Sequence, residues 1–478
     1  MTDDLAPVPM DQRKWGTWSM AALWISMSAC VPTYMAGSSL IDGGMNWWQA
    51  TFTILLANTI VLVPMVLNAH AGTKYGIPFP VLCRASFGTL GSNIPALMRA
   101  VVACGWFGIQ TWIGGMAIYK ISAVFVPDFA AWPPLPVLGI SASELACFLL
   151  FWLINMVFVI KGIDSIRLLL LIKAPLLIAL GLLLLWWAVD EAGGWGPVLS
   201  SHSACEQGQP KAGQFASFFA PALTGMIGFW ATLSLNIPDF SRYATSQRAQ
   251  VVGQALGLPT TMGLYSFIGI AVTSATVVIY GKAIWDPVDL LSGFTHPALL
   301  LVAMVALCVA TLATNLAANV VSPANDFANL APSRVSFKTG GIITGFIGIA
   351  IMPWKLIADP SGYIFVWLVG YSALLGPVGG ILICDYFVVR RRQLNVADLY
   401  RDQGEYRYSN GFSFVAIAAL VAGILPSVPG FLATVGAIDK DSITSVWHTI
   451  YGYAWFVGFG GSFLIYWALK CLAKRPTP

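Results

Sequence analysis

The sequence predicts an all-α protein that crosses a membrane with twelve helices, and three observations carry that prediction. Only 10% of its residues are charged while 57% are hydrophobic, against about 25% charge in an ordinary soluble domain. Twelve apolar runs, all but the ninth reaching the roughly 20 residues a bilayer demands, follow one another across short polar joints. The basic residues gather on alternate joints. A chain so poor in charge could not cover its surface in water. A continuous apolar run in lipid must be helical, because lipid offers no partner to open backbone groups. No polar stretch is long enough for a second, soluble unit, so residues 1–478 read as one membrane domain.

The runs lie near 15–40, 46–69, 93–122, 142–161, 165–188, 214–238, 252–280, 297–325, 340–353, 361–389, 411–432 and 447–472. The ninth is short and is expected to be extended or tilted. The arm 1–14 is polar, ends in Arg13-Lys14 and has no small-residue cleavage site, so it does not read as a removed signal peptide. With the N-terminus placed inside, nineteen of the 25 Lys and Arg residues fall in inner segments. Five (Lys120, Lys211, Lys282, Lys355 and Lys440) fall in outer ones, and Lys173 lies within a span. This bias supports an even number of spans, with both termini on the cytoplasmic side of an inner or plasma membrane. The 19 tryptophans suit membrane interfaces and an aromatic-lined site alike.

Two runs look interrupted. In the first, Ser26-Met27-Ser28-Ala29-Cys30-Val31-Pro32-Thr33 sets small and polar residues and a proline at mid-depth. In the sixth, Thr224-Gly225-Met226-Ile227-Gly228-Phe229-Trp230 leads to Asn236-Ile237-Pro238-Asp239. Proline lacks the backbone donor that a helical turn uses. Breaks in runs one and six are equivalent if runs 1–5 and 6–10 are repeats, which points to an inverted-repeat transporter with its site at the midplane. Simple kinking of packed helices is the other reading. The Gly- and Pro-rich stretch from Gly72 to Gly88 reads as an ordered inner connection packed on the bundle.

Trp106 and Gln110 stand four residues apart and share a face of the third helix. An indole offers a stacking surface, and an amide offers both donors and an acceptor. The pair suits a planar ring bearing carbonyls and N–H groups; an interfacial tryptophan and an amide joining two helices would look the same. Thr311, Asn315, Asn319 and Ser322 recur at helical spacing on the eighth run. Such a stripe faces the bundle interior or a cavity, or else bonds helix to helix. Trp230, just past the sixth-run break, offers a second aromatic face, and packing is the alternative.

Lys173 lies about 9 Å along the fifth helix from Arg167, at roughly 1.5 Å per residue. A charge at that depth is costly and is usually paired or functional, unless its long stem snorkels to the surface. Asp239, Asp326 and Asp385 sit near inner helix ends, where caps and loop pairing account for them. Eight cysteines without CxxC spacing and four scattered histidines (His70, His202, His296 and His448) suggest neither disulfides nor a metal centre. No phosphate-cradling GxxxxGK loop and no HExxH motif is present, which argues against ATP-driven transport by this chain alone. A membrane enzyme would need a nucleophile, a metal cluster or paired carboxylates at depth. A channel would need a continuous polar path, and the single stripe argues for an occluded site. A sensor that binds without transport would be separated by measuring flux. No cofactor, nucleic-acid partner or obligate protein partner is indicated.

Several stretches together resemble the nucleobase–cation symporter-1 family, which includes hydantoin, cytosine and allantoin permeases and plant nucleobase transporters. These are Tyr75 to Pro80 (YGIPFP), Gly105 to Trp112 (GWFGIQTW), Ala310 to Pro323 (ATLATNLAANVVSP), Met352-Pro353-Trp354, and Asp385-Tyr386-Phe387 followed by Arg390–Arg392. The resemblance runs over nearly the whole chain. It implies a LeuT-like fold with repeat one over 15–188, repeat two over 214–389 and two peripheral helices over 411–472. It implies a ring held by the stacking tryptophans Trp106 and Trp230, with Phe229 adjacent, and by the amides of Gln110 and Asn319. Cys30 stands where the hydantoin symporter has a glutamine.

For the coupling ion, the resembling sodium site corresponds to backbone groups near Ser26 and Ala29 and to Ala310, Ala313 and Thr314. Ala313 replaces a hydroxyl of the family, and a methyl group offers no oxygen to sodium. In transporters of this fold a lysine of the fifth helix can occupy the neighbourhood of that ion. Lys173 is then expected to replace sodium and couple uptake to protons, since burial disfavours the charged form of an amine. Sodium coupling is the alternative. The resulting expectation is a secondary active importer of a nucleobase or related ring (uracil, allantoin or hydantoin type) working by alternating access in the lipid bilayer.

Overall fold

The first apolar run folds as two helices, α1 (Thr17–Ser28) and α2 (Val31–Asp42), joined by Ala29 and Cys30. This is a computed structural model that describes residues 5–161, 167–200, 202–294, 296–331, 334–401 and 403–473, with backbone alone over 167–172. Three of the basic residues that set the inner bias (Lys474, Arg475 and the side chain of Arg167) therefore lie outside the described residues, as do the first four residues of the arm.

The chain continues through α3 (Trp47–Tyr75), α4 (Phe79–Phe87), α5 (Asn93–Phe125), α6 (Ala142–Lys161) and α7 (Arg167–Glu191). The sixth run is again divided, into α8 (Phe215–Gly228) and α9 (Ala231–Asn236). Next come α10 (Gln247–Tyr280), the short α11 (Pro287–Ser292), and α12 (Pro297–Asn319) running on as α13 (Val321–Leu330). After α14 (Phe337–Ala350), α15 (Val369–Ile383) is flanked by π-helical turns, and α16 (Phe414–Ile424), α17 (Val428–Thr434) and α18 (Ala454–Ala473) close the chain. A two-residue antiparallel pair, Pro134–Leu135 with Ile140–Ser141, is the named sheet among the described residues.

Among the described residues, nine helices are long and apolar enough to cross a membrane by length and composition. The runs missing from that set are the two divided ones and α14, which has 14 residues. Divided helices fall short because each half covers only part of the bilayer.

The two breaks differ in kind. Cys30 is fully extended (φ −152°, ψ 159°) and Ala29 is also non-helical (ψ 86°). Pro32 then sits in the first turn of α2, where a missing N–H costs nothing. The second break is a tight turn: Trp230 N–H donates to the Ile227 carbonyl at 3.2 Å, a three-residue step. Pro238 opens a separate short helix, Pro238–Ser241, so it marks the end of α9 and does not cause this break. The helix is thus interrupted at Pro238, as the proline implies, while the turn at Trp230 involves no proline.

α10 packs on α1, α2 and α3, while α5 packs on α6, α12, α13 and α14. Runs one, two and seven thus form one group, and runs three, four, eight and nine another. Gly37 and Gly269 let α2 and α10 touch backbone to backbone: an added Cβ would overlap the carbonyls of Ser266 and Tyr34. At the end of the bundle near the N-terminus, the connection from Gly72 to Gly88 is ordered. Its Phe79 N–H donates to Asp239 Oδ1 at 2.8 Å, and Arg13 reaches the Thr73 carbonyl at 2.6 Å. Asp385 accepts from Arg390 at 2.8 Å and from the Tyr466 hydroxyl at 2.7 Å.

Arg99, counted among the inner basic residues near the start of the third run, lies within α5 and is fully buried. It pairs with Asp326 of α13 at 3.2 Å, also fully buried. Removing one partner strands a charge in a low dielectric, which typically costs about 3–5 kcal/mol. Arg99→Leu is therefore expected to lower the melting temperature in detergent markedly. The double variant with Asp326→Leu should recover much of the loss; equal melting of single variant and wild type would exclude this role.

Candidate functional site

Both breaks open onto one cavity of about 30 Å³ in the middle of the bundle. Cys30, Trp106, Gln110, Phe229, Trp230 and Asn319 all line it. Each owes its place to a distinct local cause. Cys30 is in the extended link between α1 and α2. Trp106 and Gln110 stand one turn apart on α5. Phe229 and Trp230 form the turn between α8 and α9, and Asn319 ends α12. Met27, Pro32, Thr232, Leu233, Thr314 and Ala318 complete the wall. Sequence reasoning does not assign Met27, Pro32, Thr232, Leu233 or Ala318 to it. Their signal is adjacency: each neighbours a break or the polar stripe.

The aromatic arrangement differs from two indoles facing each other across a ring. Phe229 meets Trp106 edge-on, with ring centroids 5.2 Å apart, and meets Trp230 in the same way at 5.1 Å. Trp230 also abuts Trp24 edge-on at 5.1 Å. Successive residues of a tight turn point to different sides, so Phe229 and Trp230 cannot present one flat face together. The cavity has room for about two waters at ~10–15 Å³ each.

Polar groups are few. Gln110 Oε1 and Trp230 Nε1 are buried without a hydrogen-bond partner. A buried polar atom left unpaired costs about 1–3 kcal/mol, so these two are positions where a ligand would gain. Cys30 Sγ lies 3.2 Å from Thr33 Oγ1 in the first turn of α2.

The stripe on the eighth run divides between the two roles open to it. Asn319 lines the cavity and donates to Asn315 Oδ1 at 3.0 Å. Asn315 is helix-to-helix glue, donating to the Phe107 carbonyl and to Thr111 Oγ1 on α5 at 3.1 Å each. Ser322 donates to Asp239 Oδ2 at 2.9 Å and receives Asn236 of α9. Thr311 Oγ1 is buried without a partner.

Lys173 does not snorkel. It is buried, and its ammonium donates to the carbonyl of Ser26 in the last turn of α1. Ending α1 at Ser28 frees that carbonyl from its usual partner four residues on, and the C-terminal end of a helix favours a cation. Ala29, Ala310, Ala313 and Thr314 are buried as well. Thr314 Oγ1 donates to the carbonyl of Ala310 at 2.9 Å, so two of the expected oxygens are already engaged with each other. Ala313 contributes a methyl group.

A family described as permeases for cytosine/purines, uracil, thiamine and allantoin matches residues 7–458. The chain is similar to a purine-uracil permease of Arabidopsis thaliana, at 46% identity over 475 residues, covering 99% of this chain and 78% of that one. It is similar to an allantoin permease of Bacillus subtilis, at 40% identity over 475 residues, covering 97% and 92%. In structure it resembles Mhp1 in an inward-facing conformation, with a TM-score of 0.80 and 26% identity over 99% of this chain and 94% of that one. It also resembles Mhp1, a nucleobase–cation symport-1 family transporter, closed around bromovinylhydantoin, with a TM-score of 0.77 and 26% identity over 99% and 96%.

Proposed function

The chain belongs to the nucleobase–cation symporter-1 family, membrane transporters and not enzymes, and on that premise we propose that it imports a nucleobase or related planar heterocycle by proton-coupled alternating access. The observation that carries this reading is the cavity, where two interrupted helices meet Trp106, Gln110 and Asn319. A ring of the uracil, allantoin or hydantoin type has a flat face for the aromatic wall and an edge of N–H and C=O groups for the amides. The relatives' names point to the same substrates. The division into repeats over 15–188 and 214–389 is supported by the equivalent breaks and by the packing of α10 on α1, α2 and α3.

Coupling is assigned to Lys173. Its hydrogen bond to the Ser26 carbonyl at the end of α1 supports this, as does the packing of α7, which carries it, on both α10 and α12. Loss of the proton would remove the charge that strengthens the hydrogen bond to Ser26, weaken the contact between α1 and α7, and so link proton movement to opening. Sodium is the second reading, favoured by the Thr314 hydroxyl and the carbonyls of Ser26, Ala29 and Ala310, but with no ligand from Ala313. The basic bias supports termini in the cytoplasm.

Uptake of labelled uracil, allantoin and hydantoin into proteoliposomes, under imposed proton or sodium gradients, tests this. Accumulation of one of these rings driven by an inward proton gradient without sodium is expected. Strictly sodium-driven uptake would overturn the coupling assignment, and no uptake of any of the rings would overturn the substrate class.

A further inference from the structure

We infer that Asn155 and Asn315 are positioning residues that fix Asn319 as a hydrogen-bond acceptor toward the cavity, so that the transported ring must place an N–H donor there. This rests on the reading that the cavity takes a planar ring, and it specifies the polarity of that ring's edge.

An amide can be turned either way, and its hydrogen-bond network decides which. Here the network begins at groups that can only accept. The Phe151 carbonyl of α6 receives Asn155 Nδ2 at 2.8 Å. That turns Asn155 Oδ1 outward, where it receives Asn315 Nδ2 at 3.1 Å. On α5 the Thr111 hydroxyl spends its proton on the Phe107 carbonyl at 2.7 Å. Its lone pairs and that carbonyl both face the same Asn315 nitrogen, at 3.1 Å each. Three acceptors thus surround Asn315 Nδ2. Turning the amide over would set its oxygen against the Phe107 carbonyl and against Asn155 Oδ1, with only the Thr111 hydroxyl able to turn and donate to it, at the cost of buried hydrogen bonds.

With Asn315 fixed, its Oδ1 must point along α12 to Asn319, which donates Nδ2 to it at 3.0 Å. Asn319 then has its carbonyl oxygen, beside the second proton of Nδ2, left for the cavity it lines, and that oxygen can be satisfied only by a donor. Asn155, Asn315 and Thr111 are all buried away from the cavity wall, on three different helices. Their arrangement transmits a direction, set by a backbone carbonyl of α6, to the ligand-facing atom of α12.

The test uses the full-length protein in detergent, with binding followed by quenching of intrinsic tryptophan fluorescence. Hydantoin is compared with succinimide, which has CH₂ where N1–H stood, with 3-methylhydantoin, and with N-methylsuccinimide, which has no N–H. N-methylsuccinimide is expected to show no saturable binding. At least one of the two single replacements should bind about ten- to hundredfold more weakly than hydantoin, the loss that goes with a buried acceptor left unpaired. In Asn315→Leu, shown to be folded by its melting curve, that ratio should fall to within about threefold, because Asn319 is free to turn. A merely structural role for Asn315 would weaken all the rings alike and leave the ratio unchanged. Equal binding of hydantoin and both single replacements by the wild type overturns this inference alone, whether or not the variant folds. Failure of hydantoin, uracil and allantoin alike to bind overturns the functional reading, and this inference with it.

Discussion

Trp106→Ala is expected to remove measurable ring binding and uptake while the protein stays folded. Trp106 supplies the broad face of the cavity on α5, and its ring is held edge-on by Phe229, Tyr363 and Trp367, with centroids 5.2, 6.3 and 5.9 Å away. Stacking a heterocycle on an aromatic side chain is worth about 1–3 kcal/mol by alanine substitution, or roughly five- to 150-fold in affinity. Truncation also lets Phe229 fall further into an already small cavity, which places the expected loss at the upper end of that range. Trp106→Phe keeps a stacking face and should retain most of the binding. The measurement is a ligand-induced rise in melting temperature alongside proteoliposome uptake. The same loss is expected for Asn319→Ala, and normal affinity in either variant would refute the assigned roles.

The second large effect is at Lys173. Lys173→Ala should abolish the response of uptake to an imposed pH gradient, yet leave ring affinity within about threefold of wild type, because Lys173 does not line the cavity. The ammonium occupies the negative end of α1 through the Ser26 carbonyl. A charge at mid-bilayer costs about 2.5–3.5 kcal/mol even on permissive insertion scales, so a lysine held there needs a partner or a task. Without the side chain, α1 and α7 lose the contact that protonation controls. The expected result is facilitated exchange of substrate with no accumulation. Wild-type proton coupling in Lys173→Ala would sink the assignment. Restoration of accumulation by sodium in that variant would instead point to the vacated carbonyls taking a cation.

Much of the site is legible in the sequence. Trp106 and Gln110 share a face because four residues make about one helical turn. Pro32, with the small residues before it, marks the first break. The stripe from Thr311 to Ser322 is a plain departure from an apolar helix. Other features are not legible there. Arg99, near the start of the third run, reads as a charge close to the inner surface, and only its partner Asp326, 227 positions along the chain, explains its burial. Pro238 marks the end of α9, but the tight turn at Trp230 needs no proline and is signalled only by the glycines before it. Asn155 gives no signal at all: a lone asparagine in an apolar helix looks the same whether it orients a distant amide or bonds its own turn.

The sequence by itself determined the membrane class, the approximate bounds of the helices, the first break and the residue types at the site. These are local properties, set by how each segment's side chains and backbone fare in lipid. Only the tertiary structure decided that Phe229 separates the two indoles, that Lys173 turns inward to Ser26, and that Asn319 lines the cavity while donating to Asn315. Each of those depends on which atoms of other helices lie within about 3–6 Å. Hydropathy and helical periodicity carry no record of such partners.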